Sequence, residues 1–413
     1  MSGQANGMFR GADGRNYVTV FALVASLFFL WGVAHSILDV LNKHFQDVLV
    51  ISKARSALVQ AMVYGGYFLM AIPAGRIIRR WGYRTGIVTG LLLYGTGALL
   101  FIPGGQLMSF PFFLFCLFII GCGLTCLETS ANPYVTVLGG KRSAAGRLNL
   151  AQALNGLGWV VGPMVGGLLI LGEEGGNISL PYAVIGCVVV ILGFVFSRLH
   201  LPSPDEEPTK DDEPASATAS VTSIWHIRTF RYGVVALLLY VFAQTGINSF
   251  FINYALEADT SLSPSTAAMM LSIGGMGLFM VGRLLGSLIL KAVAPARLMT
   301  ACATGATICM LLTITSNGKV GMTALCLTYL FESVMFPTIF SMAQTDVTGS
   351  NTKTASSYLV MSIVGGAIVP VLMGLLGESN MALGFTIPLG CFVGIILYAF
   401  SYKRLRPPMK QKP

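Results

Sequence analysis

The chain predicts an all-α membrane protein, twelve transmembrane helices in two pseudo-symmetric halves of six, and three observations predict it. The first is composition. Hydrophobic residues make up 54% of the 413 residues and charged residues only 10%, with a mean hydropathy of +0.73, whereas soluble domains carry about a quarter charged residues. The second is where the charge falls. With the N-terminus in the cytoplasm, all of the 26 Lys and Arg except Lys43, Lys53, Arg55 and Lys319 lie on the cytoplasmic side. That asymmetry is the positive-inside rule, so the net charge of +9 reports topology and excludes a nucleic-acid patch. The third is an internal repeat, taken up below.

Twelve apolar runs of about bilayer length fall at 17–41, 57–78, 86–103, 110–138, 147–171, 181–200, 232–256, 265–290, 298–316, 320–345, 354–377 and 381–402. The first is too long for a signal-peptide core and lacks a small-residue cleavage site, so it is a span. Between His200 and Arg231 the chain is polar, acidic and proline-rich (LPSPDEEPTKDDEPASATAS), the composition of a flexible linker. Ile224 to Phe230, with Trp225, predicts a short interfacial helix. The domains are therefore 1–200, a cytoplasmic linker 201–231, and 232–413, with both termini cytoplasmic. All eight cysteines sit in apolar runs as small buried hydrophobes, and no histidine accompanies Cys122 and Cys126 to hold zinc.

The halves echo one another. Glu128 stands five residues before Pro133, and Glu332 five before Pro337, an offset of 204. Gly75-Arg76 and Gly282-Arg283, Pro163 and Pro370, and Gly167 and Gly374 all repeat at 207. Four pairs at nearly one offset mean duplication. Two parallel six-helix repeats joined by a cytoplasmic linker describe the major facilitator architecture, whose substrate site lies at the midplane between the halves. The loop GRIIRRWGYRTG (Gly75 to Gly86) resembles the short basic gating loop of that superfamily, with Gly75, Arg76, Arg80 and Arg84 its gating residues. Arg79 stands about where the usual acid would fall.

Charges inside spans are functional candidates by default, since a carboxylate at that depth costs about 2.5–3.5 kcal/mol. Glu128 is the single charge in the fourth span, Asp39 closes the first, Glu332 lies in the tenth, and Asp346 ends the tenth in a solvated or capping position. His35 is one turn before Asp39, and the spacing predicts a hydrogen bond between them. The amides Asn132, Gln152, Asn155, Gln244, Asn248 and Asn253 cluster in the fourth, fifth and seventh spans. Groups that both donate and accept suit the hydroxyls of a sugar, and Trp31, Tyr134, Phe331 and Tyr358 could stack on a pyranose ring. Without a mid-membrane cation to pair them, the carboxyls read as proton carriers and an anionic substrate is disfavoured.

LETSANPY (Leu127 to Tyr134), MFPTIFS (Met335 to Ser341), VGGAIVP (Val364 to Pro370) and the ILDVL ending of the first span resemble the L-fucose permease family, the fucose–glucose/galactose:proton symporters of the major facilitator superfamily. The resemblance runs over all twelve spans. It implies import of a neutral hexose by proton symport, Asp39 and Glu128 as the carboxylates of proton coupling, and Gln152 and Asn155 in the sugar pocket. Asn132, Gln244, Asn248, Glu332 and Trp31 complete the candidate substrate site. The chain departs from its relatives at Leu38, where Asn is usual, at Gln244, where many carry an acid, and at Glu332, where Asn is common. A drug:proton antiporter is the alternative, because Gly158, Gly162, Pro163, Gly166 and Gly167 fit the fifth-span motif of exporters, which close helix packing also explains. A sodium-coupled or uniport sugar carrier is the other. No enzyme fingerprint is present, and neither cofactor nor metal is expected beyond the proton itself. A bacterial inner-membrane monomer with a sugar substrate and a lipid surround is the expectation.

Overall fold

The computed structural model describes residues 9, 16–138, 144–172, 178–199, 224–290, 292–316, 318–347, 355, 358–359 and 361–405, and no β-strand occurs among them. Residues 201–223 of the expected linker, and the basic positions Arg10, Arg15, Lys141, Arg142 and Lys291, lie outside the described residues.

Helix α1 (Val18–Leu49) carries the first span eight residues past its expected end, stopping where Val50 turns left-handed at φ 51°. The four-residue α2 (Lys53–Ser56) starts where the Ser52 hydroxyl accepts from the Arg55 N–H, an N-cap that satisfies one of the first-turn donors. Helix α3 (Leu58–Leu99) contains two spans, divided at Gly82 with φ 80° and ψ 171°. Such a conformation is open essentially to glycine alone, so the sharp bend between the second and third spans depends on that residue. The third span continues into α4 (Phe101–Leu107). Then come α5 (Phe110–Val137), α6 (Ala144–Leu169) and α7 (Ser179–Arg198).

Helix α8 (Arg228–Ala258) is the seventh span. Its early start corrects the expected interfacial helix: Ile224 and Trp225 form one turn, and the chain enters the long helix at Arg228. Trp225 instead wedges edge-on between Phe230 and Tyr358, with centroids at 5.5 and 5.3 Å. The eighth span is composite: α9 (Pro264–Met269), a π-helical turn (Met270–Met276) and α10 (Gly277–Ile289). After α11 (Pro295–Thr315), the tenth span also breaks, into α12 (Lys319–Glu332) and α13 (Met335–Gln344). Pro337 explains that break, because its ring collides with the carbonyl four residues earlier, that of Ser333. Pro370 does the same in the eleventh span, where a 3-10 turn (Ser362–Ala367) precedes α14 (Val369–Leu376). The twelfth span is α15 (Met381–Gly384) with α16 (Thr386–Leu405).

The chain forms two compact units. One comprises Met1–Ile51, Leu58–Glu207 and Pro264–Ser272; the other comprises Ser52–Ala57, Pro208–Ser263 and Ile273–Pro413. In the first, α3 packs on α5 and α7, and α1 packs on α6. At the α1–α6 contact glycines let the two backbones approach closely. A Cβ on Gly158 would overlap Phe29 O, one on Gly32 would overlap Asn155 O, and one on Gly162 would overlap the Ser36 hydroxyl. Gly158, Gly162 and Gly166 recur every four residues, the spacing of one helix face, and all three face α1. Helix packing therefore accounts for the glycines that fit an exporter motif. In the second unit α11 packs on α12 and α16, and α8 on α13, α16 and the 3-10 turn. Lys53 of α2 is held there by the Glu257 carboxylate at 2.5 Å and the carbonyls of Gly377 and Glu378 at 2.7 and 3.1 Å.

Candidate functional site

In the first unit the polar residues of α1, α3, α5 and α6 come together as a layered box. Its floor is α5, where Glu128 is half-buried and Pro133 occupies the helix interior five residues later. Tyr67 on α3 is the centre. Its hydroxyl lies 2.9 Å from His35 Nε2, with the Glu128 carboxyl and Trp31 close by. A phenol holds one proton to donate and two lone pairs to accept with. Tyr67 thus joins a carboxyl on one side and an imidazole on the other into a continuous path of exchangeable protons.

Aromatic rings enclose that path. The His35 ring stacks on Trp159 at 5.8 Å and 17°, and lies 5.4 Å from Tyr67, 6.1 Å from Tyr64 and 6.3 Å from Trp31. The packing follows from helical spacing. Trp31 and His35 are four apart on α1, Tyr64 and Tyr67 three apart on α3, so each pair shares a face. Faces of this kind, apolar and quadrupolar with polar edges, hold a ring that is greasy on its faces and hydroxylated on its rim.

The expected His35–Asp39 bond is corrected: His35 turns to Tyr67, while Asp39 accepts from Gln60 Nε2 at 2.8 Å. Asp39 is 2% exposed, and its second oxygen has no hydrogen-bond partner among the described residues. Gln60 could do this because it lies one turn before Tyr64 on α3, on the face that meets α1. The first unit therefore holds two acid centres, Asp39–Gln60 and Glu128–Tyr67–His35, each spanning two or more helices.

The amides of α5 and α6 take different roles. Gln152 Nε2 donates to Asn132 Oδ1 at 3.3 Å, and both are half-buried beside Glu128's helix. Asn155 is buried and donates to Phe28 O at 3.0 Å, so its amide NH₂ is engaged in the α1–α6 seam. In the second unit Gln244 is half-buried, while Asn248, Asn253 and Glu332 are buried. Among the other aromatics, Tyr134 packs against Tyr83 at 5.6 Å and Phe331 lies over Gly305.

Of the basic loop, Arg76, Arg79 and Arg80 are exposed, with Arg80 over the Trp81 ring at 5.1 Å. Arg84 donates to the carbonyls of Phe196 and Ser197 at the end of α7, where unpaired carbonyls and the helix dipole favour a cation. Asp346 sits against the first turn of α8, accepting from the Thr229 hydroxyl at 2.9 Å, the opposite arrangement by the same reasoning.

Sequence reasoning missed Tyr67, Gln60, Tyr64 and Trp159. A signal existed for three of them: Gln60, Tyr64 and Tyr67 form a polar stripe at spacings of four and three along the second span, and Gln60 is its only amide. Among the described residues no group of three or more His, Cys, Asp or Glu is placed to hold a metal ion.

The major facilitator superfamily model matches residues 19–370. The L-fucose-proton symporter of Escherichia coli K12 is 36% identical over 410 residues, covering 93% of each chain. A glucose/galactose transporter of Brucella abortus is 34% identical over 394 residues, covering 93% of this chain and 94% of that one. A crystal structure of the transporter FucP in the outward conformation aligns with a TM-score of 0.69 at 36% identity, over 94% of this chain and 99% of that one.

Proposed function

Because the chain belongs to the major facilitator superfamily, beside fucose-proton symporters and glucose/galactose transporters, we propose that it imports a neutral hexose together with a proton by alternating access. The observation that carries the proton part is the Glu128–Tyr67–His35 chain inside an aromatic box. Glu128 takes the sugar-linked proton, and Tyr67 passes or holds it according to the state of His35. Asp39, in the same unit and bonded among the described residues through Gln60, is its partner nearer the outside. In this unit the sugar contacts are Trp31, Gln152 and Asn132, with Asn155 fixing the wall behind them; in the second unit the candidate sugar contacts are Gln244 and Asn248. The functional halves are 1–200 and 232–413, the monomer is the working form, and both termini are cytoplasmic. Gly75, Arg76, Arg80 and Arg84 serve the gating loop.

Coupling needs the sugar to bind better to the protonated form, and by reciprocity the sugar then raises that carboxyl's proton affinity equally. A tenfold preference takes only about 1.4 kcal/mol. Neutral groups recognise neutral hydroxyls, and among the described residues no lysine or arginine stands beside the box to hold an anionic substrate.

The test is sugar-evoked proton uptake by purified protein in liposomes, with a panel of neutral hexoses in sodium-free buffer. External alkalinisation on adding one hexose is expected. Glu128→Gln should retain sugar exchange but lose at least about tenfold in proton-driven accumulation. Flux that requires sodium, or no ion, would overturn the proton mechanism and keep the sugar site; no flux with any hexose would overturn the sugar reading.

A further inference from the structure

The second unit contains an acid that the path through Tyr67 does not use. Glu332 ends α12 at 0% exposure, and neither of its carboxyl oxygens has a hydrogen-bond partner among the described residues. It forms no ion pair there. Asn248 on α8 is 4% exposed, and its Oδ1 is likewise unpartnered.

Topology brings these three oxygens to one level. Helices α8 and α12 are the seventh and tenth spans and so cross the membrane in opposite directions. They touch through Phe251 and Tyr329, whose rings meet edge-on with centroids 6.0 Å apart. Asn248 is three residues before Phe251, and Glu332 three residues after Tyr329. In antiparallel helices both steps lead the same way, about 4.5 Å along the axis, and i,i+3 residues share a face. Asn248 and Glu332 therefore stand at the same depth beside the ring contact.

Three unpartnered acceptor oxygens in a buried interior require a donor or a cation, because an ionised carboxylate has nothing to donate and leaving a buried hydrogen bond unmade is costly. Two side chains provide too few oxygens for a hard metal ion, which takes about six. A proton on Glu332 suffices: the acid then donates to Asn248 Oδ1. On the helices packed against α12, the other titratable or charged groups are Arg228, Arg231, Tyr232, Tyr240, Tyr254 and Glu257 on α8, Arg297, Cys302 and Cys309 on α11, and Arg283 on α10. Lys319, Cys326 and Tyr329 lie on α12 itself, and α13 carries none. The one other carboxyl among them, Glu257 at the end of α8, is already paired with Lys53.

We propose that Glu332, with Asn248 as its hydrogen-bond acceptor, binds a second transported proton in the C-terminal half. This rests on the symport reading above and adds to it: the two acids belong to different units, so each unit carries a protonation step of its own.

The experiment is the proton-to-sugar ratio, measured in proteoliposomes by balancing a sugar gradient against an imposed pH gradient until net flux stops, in sodium-free buffer. Wild type should give about two protons per sugar and Glu332→Gln about one, a ratio read at zero net flux and so independent of any change in the rate of sugar transport. A wild-type ratio of one, or a Glu332→Gln ratio equal to wild type, would overturn the proposal while leaving symport intact. Should Glu332→Gln fail in counterflow, Glu332→Asp keeps the acid and is expected to retain two, and the wild-type ratio decides by itself. No sugar-linked proton movement in wild type would overturn the symport reading, and this proposal with it.

Discussion

At the scale of single residues, the site turns on one hydroxyl. Tyr67 serves Glu128, Trp31 and His35 at once, and removing it leaves their polar atoms facing an apolar ring. Tyr67→Phe should lower proton-driven uptake about tenfold, an effect of about 1.4 kcal/mol, while sugar counterflow persists; initial rates across a pH series are the check. Asp259, just past α8 and outside the spans, makes a different prediction. The Ser261 hydroxyl at 2.6 Å and the Ser261 N–H at 3.0 Å hold its carboxyl below the usual range. A depressed carboxyl contributes stability above its ordinary pKa of about 4 and loses it as pH falls through the lower folded value. Melting temperature in detergent should fall on that acid limb, and Asp259→Asn should flatten the fall. Glu128 and Asp39 were legible in the sequence because a charge inside an apolar run is costly and so conspicuous. Tyr67 was not, since a tyrosine in a span reads as packing until another helix brings it a carboxyl. His35 was assigned the wrong partner because helical spacing gives only neighbours on its own helix, and the better partner lay on α3.

At the scale of elements, the glycine seam between α1 and α6 holds the box together. Trp31 and His35 sit on α1, Trp159 on α6, and their ring contacts depend on the close approach of the two backbones. Gly158→Leu should cost more than the 1–3 kcal/mol of ordinary overpacking, because the obstacle is the backbone of Phe29 and Val33. Gly156→Ala is the matching control: nothing lies within 4 Å of its Cβ, so it should gain about 0.5–1 kcal/mol of helix stability. Thermal melts of the two variants in detergent distinguish these outcomes. The spans themselves were legible from hydropathy, since each must satisfy its backbone internally. Their breaks were less so. Pro337 and Pro370 interrupt their helices, yet Pro133 and Pro163 remain inside continuous ones. A proline specifies a lost hydrogen bond, and whether the helix stops there depends on what neighbouring helices supply.

At the scale of the whole molecule, duplication was visible as matched residues half a chain apart, and it explains why both units carry an acid in an equivalent span. What duplication does not preserve is the detail around each acid: Glu128 has Tyr67, whereas Glu332 has no partner of its own among the described residues. The boundary between the compact units also runs through a single span, between Ser272 and Ile273, inside the π-helical turn Met270–Met276. A π turn closes its hydrogen bonds over one more residue than an α turn does, so this span contains an insertion absorbed locally. Removing one residue from Met270–Met276 should therefore regularise the helix and leave Pro264–Met269 and Gly277–Ile289 facing as they do now. Removing one from α10 instead would rotate everything beyond it by about 100° and swing Gly282 away from the Leu330 carbonyl it packs on. Folded yield of the two deletions compares them. In a fold otherwise intolerant of length changes within the membrane, the eighth span has a single place where the chain can lose a residue and keep its register.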